Sequence, residues 1–556
     1  MLRPRSISSL RGYSPRGFLG DAFAGLIVGV IAVPLSIAVA VASGVAPEQG
    51  LVTAVVAGVV VALLGGGPVQ ISGPTGTFVV IAYAIGSQYG YAGLALATGM
   101  AGIMLMVMGA ARLGRAILYV PYPVVIGFSS GIATVILVSQ IGDLLGMSLA
   151  GAPPDVPGRI ALYVSEIGQI RIIDAVISAV TIGILVGWKF VSRRIPAPLV
   201  AIVVVTIPVA LFDLPAVTIN TRFGGIPRGL QWYGFPPVSL ELVRELFVPA
   251  FTIALLAALE SLFTAVVADG MVGDKHDPNT ELTAEGIANC AVVLFGGIPA
   301  SGAIARTATN AKHGGRTPVA AIANALVVFL VMSVLAPLAG HIPIAALAAI
   351  LSVVAYSMAE WPSFFALARG PKSDMAVLLA TFSLTVLVDL SVAIQVGIVL
   401  AALLFMRRMS MVSHVTVMRR DEAGRTKVSG RPHADTAVPT RDIPDGVEVY
   451  EINGPFFFGA AEKFRNAMLL IERRPRVRVV RMRNVGAIDA TGLRLLEDLV
   501  SDSDHHRGHF VLCGLREQPE RALRKSGLYD RIGAQNIFPS LDEALARARE
   551  LVGEKQ

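Results

Sequence analysis

The sequence predicts an all-α membrane domain of fourteen transmembrane segments, followed by a small soluble α/β domain. The chain has 556 residues, of which 54% are hydrophobic, and its mean hydropathy of +0.67 is far above that of soluble domains. From Asp21 to Met406, apolar runs of membrane-spanning length follow one another with short polar breaks. After Arg407 charged residues become dense, as they are in a soluble domain.

The apolar region, residues 21–406, divides into two sets of seven spans and follows a basic tail at residues 1–20. The tail has no short apolar core with a cleavage site, so we expect it to be retained. An odd number of spans in each set makes the two halves inverted repeats. The expected spans lie at 21–43, 50–65, 74–88, 91–110, 121–147, 172–190 and 197–212, then at 246–268, 282–296, 302–314, 318–339, 343–357, 374–389 and 391–406.

Basic residues predict the orientation of these spans. Arg112 and Arg115 follow the fourth span, Arg193 and Arg194 follow the sixth, and Arg407 follows the last. Because cytoplasmic loops carry an excess of Lys and Arg, both termini should be cytoplasmic, in a bacterial inner membrane. The excess of 46 basic over 39 acidic residues therefore reflects topology and does not indicate a nucleic-acid partner.

Two Gly- and Pro-broken polar stretches occupy matching positions, before the third span of each half. They are Gly65–Val80 (GGGPVQISGPTGTFVV) and Gly296–Asn310 (GGIPASGAIARTATN). In inverted-repeat transporters such pairs place two half-helix N-termini at one point, where free N–H groups and helix dipoles favour an anion. Arg306 adds positive potential. The alternative, ordinary Gly-rich helix packing, explains the glycines but neither the repeated Ser-Gly break nor Arg306.

Glu260 stands in the middle of the eighth span, among apolar residues. A carboxylate at that depth costs on the order of 3 kcal/mol or more and normally faces a cavity or a partner. It could carry a proton, or hold a sodium ion together with Thr264, which lies one turn further on the same helix face. The alternative is a structural ion pair with Arg306.

The first span bends at Pro34, which would place Leu35, Ser36 and Val39 at a pocket wall. Pro34 could equally be a tolerated kink. Phe78 begins the third span and would either shield the substrate or serve in packing.

After a polar linker at residues 407–445, short apolar strands alternate with amphipathic helices, which predicts a cytosolic α/β domain at 446–556. The chain has two cysteines, Cys290 and Cys513, and neither a disulfide framework nor a metal cluster is indicated. We find no nucleophile–base pair, His cluster or phosphate loop, so we expect neither an enzyme nor a cofactor.

Several motifs together resemble the SulP anion-transporter family, the sulfate permeases with a C-terminal STAS domain. They are PLSIAVAVASGVAPEQGL, ISGPTGTFVV, NTELTAEGIANC, GGIPASGAIARTATNAKHGGRTP, NGPFFFGAAEKF and IDATGL. The resemblance implies core and gate domains, elevator-like alternating access and a homodimer. Carried over by motif position, the implied anion site consists of Ser72, Gly73, Thr75, Gly76, Phe78, Ser301, Gly302, Ala303 and Arg306, with Glu260 at the family's acidic ion-coupling position.

The chain departs from many family members at Leu35 and Val39, where a Gln and an aromatic residue are common. This less polar wall makes sulfate less certain, and the first-span and SGPTG stretches look closest to bacterial members that carry C4-dicarboxylates. The STAS resemblance also implies a phosphorylation site at Thr491, because anti-sigma-factor antagonists are phosphorylated on a hydroxyl after an Asp-x pair. Asp489 alone is simply a helix N-cap.

These observations predict proton- or sodium-coupled uptake of a small anion, preferably a C4-dicarboxylate such as succinate or fumarate. Sulfate or bicarbonate symport, or anion exchange, is the alternative within the family. A membrane-tethered signalling protein, with a cytosolic partner for the STAS domain, is the alternative of another class. A nucleobase transporter is disfavoured by the STAS tail and by Arg306.

Overall fold

The computed structural model describes residues 4–9, 13–117, 120–147, 149, 151–153, 155–192, 195–388, 390–420, 426–429, 443–469 and 475–553. Arg193 and Arg194, used above for orientation, lie outside these ranges. The described chain divides into two compact units, residues 1–401 and 402–556.

The first unit is helical, and every predicted span coincides with a helix. Its first half contains α1 (Arg5–Ser9), α2 (Pro15–Ala42), α3 (Pro47–Leu64), α4 (Val79–Ala110), α5 (Gly114–Ile117), α6 (Tyr122–Leu144), α7 (Val156–Ser165), α8 (Ile172–Val191), α9 (Ala197–Leu211) and α10 (Ile219–Phe223). Its second half contains α11 (Leu240–Val272), α12 (Pro278–Leu294), α13 (Ile304–Lys312), α14 (Pro318–Val334), α15 (Ala336–Ala339), α16 (Ile344–Met358), α17 (Trp361–Ala368), α18 (Lys372–Leu387) and α19 (Leu390–Val412).

Several spans begin with a capping residue followed by proline. Ser14, Asp277 and Thr317 accept hydrogen bonds from backbone N–H groups at the starts of α2, α12 and α14, and a proline follows each. The cap satisfies a free N–H group, and proline has no N–H to satisfy in the first turn. The sequence therefore fixes where these helices start.

Some helices differ in length from the expected spans. The third and fourth spans lie in one helix, α4, which is interrupted at Gly90. The φ of Gly90 is 68°, a conformation that glycine adopts without a steric penalty. The eleventh span ends at Val334, and the short helix α15 follows it. The tenth span, α13, has only nine residues, which is about 14 Å of helix and half the hydrocarbon thickness. It is therefore a half-helix.

Seven helices of the described chain are long and apolar enough to cross a membrane, and three shorter apolar helices accompany them. The seven cover Pro15–Ala42, Pro47–Leu64, Gly76–Ala110, Tyr122–Leu144, Leu240–Val272, Ile344–Ala368 and Val392–Met409. The chain is thus a multi-pass membrane protein.

The helices of the first unit pack in two groups. The core group consists of α2, α3, α4 and α11 to α14, and the gate group consists of α6, α8, α9, α16 and α18. Glycines permit close approach in both. A Cβ on Gly102 of α4 would lie 2.7 Å from the carbonyl oxygen of Gly286 of α12, and one on Gly127 of α6 would lie 2.6 Å from that of Leu378 of α18.

The second unit is an α/β domain around a six-stranded sheet, whose strands lie in the order β4 (Thr426–Ser429), β3 (His414–Arg420), β5 (Val447–Asn453), β6 (Val477–Asn484), β7 (His509–Cys513) and β8 (Ile537–Phe538). Strands β5 to β8 are parallel, and β3 is antiparallel to both of its neighbours. Its elements are β3 (His414–Arg420), β4 (Thr426–Ser429), β5 (Val447–Asn453), α20 (Phe458–Leu469), β6 (Val477–Asn484), α21 (Ala490–His505), β7 (His509–Cys513), α22 (Glu517–Lys525), α23 (Leu528–Ile532), β8 (Ile537–Phe538) and α24 (Leu541–Gly553).

The sheet begins earlier than the expected domain boundary at residue 446. The predicted linker, residues 407–445, contains the end of α19 and both β3 and β4. In β3 the apolar residues Val415, Val417 and Met418 stand among polar ones, so its pattern is weaker than that of β5, which is buried along its whole length.

Candidate anion-binding site

The two broken stretches meet inside the core group. Before α4 lies β1 (Ser72–Gly73), before α13 lies β2 (Ser301–Gly302), and the two pair antiparallel, Ser72 with Gly302 and Gly73 with Ser301. The N–H of Ala303 also donates to the carbonyl of Ile71 at 2.9 Å. We call this antiparallel pair of β1 and β2 the crossing. It brings the starts of both half-helices to one place.

Both half-helices begin without a side-chain cap. A 3₁₀ turn at Gly76–Phe78 leads into α4 after Thr75, and α13 begins after Ala303; neither preceding residue caps the helix through its side chain. Such N-termini carry N–H groups without intrahelical partners and the positive end of the helix dipole. Two of them side by side form a site for an anion.

Glu260 of α11 is tied to both half-helices. Its carboxylate accepts hydrogen bonds from the hydroxyls of Thr75 at 2.8 Å and Thr77 at 3.0 Å. It also accepts one from Ser301 at 2.5 Å, and the Thr75 and Ser301 hydroxyls lie 3.1 Å apart. The half-buried carboxylate thus draws hydroxyls from both halves of the chain to one point.

Arg306 is buried, with 4% of its surface exposed. Its Nη2 donates to the carbonyl oxygen of Pro74, whereas Nη1 has no protein partner. Within the described chain no nitrogen of Arg306 lies within 4.0 Å of Glu260, so the structural ion pair considered above is not formed. The free Nη1 is left to face the crossing, where a Cβ on Gly73 would lie 2.9 Å from it.

Thr264 does not bond to Glu260. Its hydroxyl donates to the carbonyl oxygen of Gly302 at 2.9 Å, and the N–H of Gly302 donates to Ser261 at 2.9 Å. Helix α11 therefore holds β2 from one side through its consecutive turns. Thr264 and Glu260 therefore hold successive residues of β2, Gly302 and Ser301, and they do not bond to one another.

The apolar residues expected at the site, Phe78, Val39 and Leu35, are buried to different extents. Phe78 and Val39 are buried, with 0% and 3% of their surfaces exposed, in one large apolar cluster, and Leu35 is half-buried. Gly76 faces the gate group, because a Cβ there would lie 3.2 Å from the sulfur of Met358 at the end of α16. Met358 is a neighbour of the site that the sequence did not reveal.

Two further carboxylates lie behind the crossing and were missed as functional candidates. Glu281 and Glu285 of α12 are both 0% exposed. Glu281 accepts from the N–H groups of Gly66 at 2.8 Å and Gly67 at 3.0 Å, and Glu285 accepts from the Ser72 hydroxyl at 2.9 Å. The signal was their spacing of four residues in NTELTAEG, which puts both on one helix face.

In the second unit, Asp489 is the N-cap of α21, and its carboxylate accepts from the N–H of Gly492 at 2.8 Å. Thr491 is exposed in the first turn of that helix, and its phosphorylation stays a prediction. Burial raises the pKa of the Cys513 thiol to about 12, so this cysteine is a protonated core residue at neutral pH.

A multi-span helical bundle in which two half-helix N-termini, a buried arginine and a carboxylate converge defines an inverted-repeat anion transporter. The chain belongs to the sulfate permease family: the model of that family matches residues 18–381, and the STAS domain model matches residues 439–544. The recognition of the SulP family and of its STAS tail is confirmed. Members of this family are transporters and not enzymes.

Relatives match over almost the full chain. A Bacillus subtilis protein named for sulfate transport, YvdB, is 38% identical over 96% of this chain and 98% of its own length. The bicarbonate transporter BicA of a Picosynechococcus species is 31% identical over 96% of this chain and 95% of its own. The expected preference for C4-dicarboxylates gains no support from these names.

Solved structures show the same fold. A structure of SLC26A9 superposes with a TM-score of 0.87 over 99% of this chain and 93% of that chain, at 19% identity. The transmembrane domain of a cyanobacterial BicA superposes with a TM-score of 0.62 over 70% of this chain and 98% of that chain, at 30% identity. The predicted helical membrane fold with a C-terminal STAS domain is thus confirmed.

Proposed function

We propose that the chain imports a small monovalent oxyanion of the bicarbonate type together with a sodium ion. The observation that carries this proposal is the position of Glu260, which accepts hydroxyl hydrogen bonds from both half-helices beside their free N-termini. The cation and the anion would then occupy adjacent places on one crossing, so that each stabilises the other.

Charge supports a monovalent substrate. Within the described residues the crossing carries one positive group, Arg306, and one negative group, Glu260. A bound cation at Glu260 leaves one net positive charge, which a monovalent anion balances. A divalent anion such as sulfate or succinate would leave the buried site with a net negative charge, and an uncompensated charge in the membrane interior is costly.

The oxygen atoms around Glu260 support sodium as the coupling ion. Hydroxyl groups that donate to a carboxyl group favour its ionised form, and here three of them do so. The oxygen atoms beside the carboxylate are the hydroxyls of Thr75, Thr77 and Ser301. Ser301 belongs to the unwound strand β2, and unwound backbone before a half-helix contributes to coupling-ion sites in broken-helix transporters.

Coupling fits import. An inside-negative membrane opposes entry of an anion by about 2.3 kcal/mol per charge per 100 mV. One sodium ion per monovalent anion makes the transported pair neutral and cancels this opposition. The two packing groups support elevator-like movement of the core group past the gate group. This movement, the homodimer, the cytoplasmic termini and a STAS partner stay predictions.

The test is uptake into proteoliposomes of labelled bicarbonate, sulfate and succinate, first with a sodium gradient and then with a proton gradient. We expect sodium-driven bicarbonate uptake that Glu260→Gln abolishes. Glu245→Gln, the same change at an exposed position of α11, is the matched control and should transport like the wild type.

Other outcomes discriminate among the alternatives. Proton-driven succinate uptake would restore the dicarboxylate prediction and overturn the proposed substrate. Anion exchange that survives Glu260→Gln would remove the coupling role of this carboxylate. No uptake under either gradient would favour the signalling alternative.

A further inference from the structure

Two buried carboxylates of α12 form a cluster separate from Glu260. Glu281 and Glu285 are 0% exposed and lie one helical turn apart. Among the described residues no Lys, Arg or His nitrogen lies within 4.0 Å of either one. Two negative charges one turn apart in a dry interior, with no cation to pair them, are strongly unfavourable, and such a pair retains a proton.

The surroundings decide which member carries the negative charge. Glu281 lies in the first turn of α12, where the helix dipole favours an anion. It also accepts two backbone N–H groups from Gly66 and Gly67. Glu285 lies one turn deeper, and its carboxyl group accepts a hydrogen bond from the Ser72 hydroxyl. The charge is therefore favoured on Glu281 and the proton on Glu285.

Unpartnered polar atoms point to the same place. Oε1 of Glu285 is buried and has no protein partner, and neither amide atom of Gln70 has one, although Gln70 is only 4% exposed. Gln70 lies between Glu281 and the crossing: its Nε2 is next to Gly302, and its Oε1 is next to Gly67 near Oε2 of Glu281. A proton on Oε1 of Glu285 would remove the charge from a buried oxygen atom that has no donor to stabilise it.

Charged groups on the packed elements strengthen the tendency to hold a proton. Glu260 repels a negative charge on Glu285, and Asp269 and Asp277 repel one on Glu281. The nearby cation, Arg306, donates to the carbonyl of Pro74. The other titratable groups on the elements packed against α12 are Glu48 of α3, Tyr83, Tyr89 and Tyr91 of α4, Arg115 of α5, Glu241, Arg244 and Glu245 of α11, and Cys290 of α12 itself.

We propose that Glu285 is a proton-binding site, occupied at neutral pH, in which Oε1 carries the proton and Oε2 accepts from Ser72. Proton binding converts the carboxylate to a carboxylic acid, and no other bond changes. The site is distinct from Glu260, and it lies directly behind β1 on the side of the crossing that α12 covers.

The consequence for the anion rests on the proposed function. Deprotonation of Glu285 would place a negative charge on the α12 side of the anion, and at an assumed separation of about 10 Å and an effective dielectric constant of 20 such a charge weakens binding on the order of tenfold. Anion affinity should therefore fall as the pH rises through the deprotonation of Glu285. In Glu285→Gln the affinity should lose this dependence, because the amide mimics the protonated acid.

Infrared spectroscopy of the full-length protein in detergent tests the site without reference to transport. At neutral pH we expect the carbonyl band of a protonated carboxylic acid, absent in Glu285→Gln and retained in Glu260→Gln. The Glu285→Gln protein should unfold at the wild-type temperature, because its amide oxygen still accepts from Ser72. Glu281→Gln should unfold at a lower temperature, because a charged acceptor for two N–H groups is lost.

A second variant protects the test if Glu285→Gln fails to fold. Ser72→Ala removes one hydrogen bond to the carbonyl oxygen of the acid, which should move the band to higher frequency. A band that neither variant alters, or no band at neutral pH, would overturn the proton site. A Glu285-dependent band in a protein that shows no sodium-driven uptake would instead reject the proposed function and leave the proton site standing.

Discussion

The two broken stretches share a backbone design and differ in their side chains. Each runs through a Ser-Gly strand into an uncapped half-helix, and the strands pair with one another. The stretch before α4 contributes hydroxyls and no charge, whereas the stretch before α13 contributes Arg306. The helix that faces the second stretch adds Glu260. The repeat thus supplies the geometry of the site, and the differences between its halves supply the electrostatics.

The largest expected effect comes from breaking the shared backbone. A Cβ on Gly302 would lie 2.4 Å from Gln70 Nε2 and 3.1 Å from the Cα of Ser261. Gly302→Ala should therefore separate the strands, lower stability by about 1–3 kcal/mol as overpacking does, and abolish anion binding. Thermal unfolding and calorimetric anion titration measure both.

Gly99→Ala is the control for this change, because its Cβ would lie 3.9 Å from Val293, an ordinary contact. Wild-type anion affinity in Gly302→Ala would show that the crossing does not build the site.

The next effect comes from removing the charge that distinguishes the second stretch. Arg306→Gln should lower anion affinity by about 100- to 1,000-fold, the effect of one charge roughly 4–6 Å away at an effective dielectric constant of 20. Arg306→Lys should recover part of this loss, since it keeps the charge and loses the planar fork. Arg316→Gln, an exposed position after the same half-helix, is the control. Equal affinities of all three variants would contradict an anion site at the crossing.

The smallest effect distinguishes the two serines that occupy equivalent positions in the two stretches, Ser301 and Ser72. Ser301 donates to Glu260, whereas Ser72 donates to Glu285. Ser301→Ala removes a hydrogen bond to a charged group, worth about 1.5–3 kcal/mol, and should raise the sodium concentration for half-maximal uptake by on the order of tenfold. Ser72→Ala should leave that concentration unchanged. The same increase in both variants would refute a sodium site confined to the Glu260 side.

Sequence patterns predicted the elements of the core better than their contacts. Hydropathy placed a helix at each expected span, although the third and fourth expected spans share one helix. The repeated Ser-Gly break located the crossing, because an unsatisfied backbone in the membrane needs a special partner. The pattern did not give the contacts across the helices: Thr264 lies one turn from Glu260 on the same helix face, as expected, but its hydroxyl donates to the Gly302 carbonyl. The Asp489 cap was predictable because it depends only on local sequence.

Burial of polar residues was the least predictable property. Glu281 and Glu285 stand in a polar run, NTELTAEG, that reads as the exposed start of a helix. They are buried because Gly66 and Ser72, which precede them by more than 200 residues in the sequence, pack against them in the fold. The partner of Arg306 was equally unpredictable. Its guanidinium donates to the carbonyl oxygen of Pro74 and does not pair with Glu260, and no local sequence pattern indicates this contact.

The pairing of Ser72 with Gly302 also determines how long the first half-helix waits for its partner strand during synthesis. The two residues are separated by about 230 positions, and ribosomes add on the order of 5–20 residues per second. The first half-helix therefore waits roughly 10–50 s in the membrane, its terminal N–H groups without the strand they later adjoin. Glu281 and Glu285 are made shortly before that strand and can find Gly66 and Ser72 first. We expect the insertion machinery or lipid to shield the first half until α12 arrives, so that the acidic helix, and not the second half-helix, begins the assembly of the core.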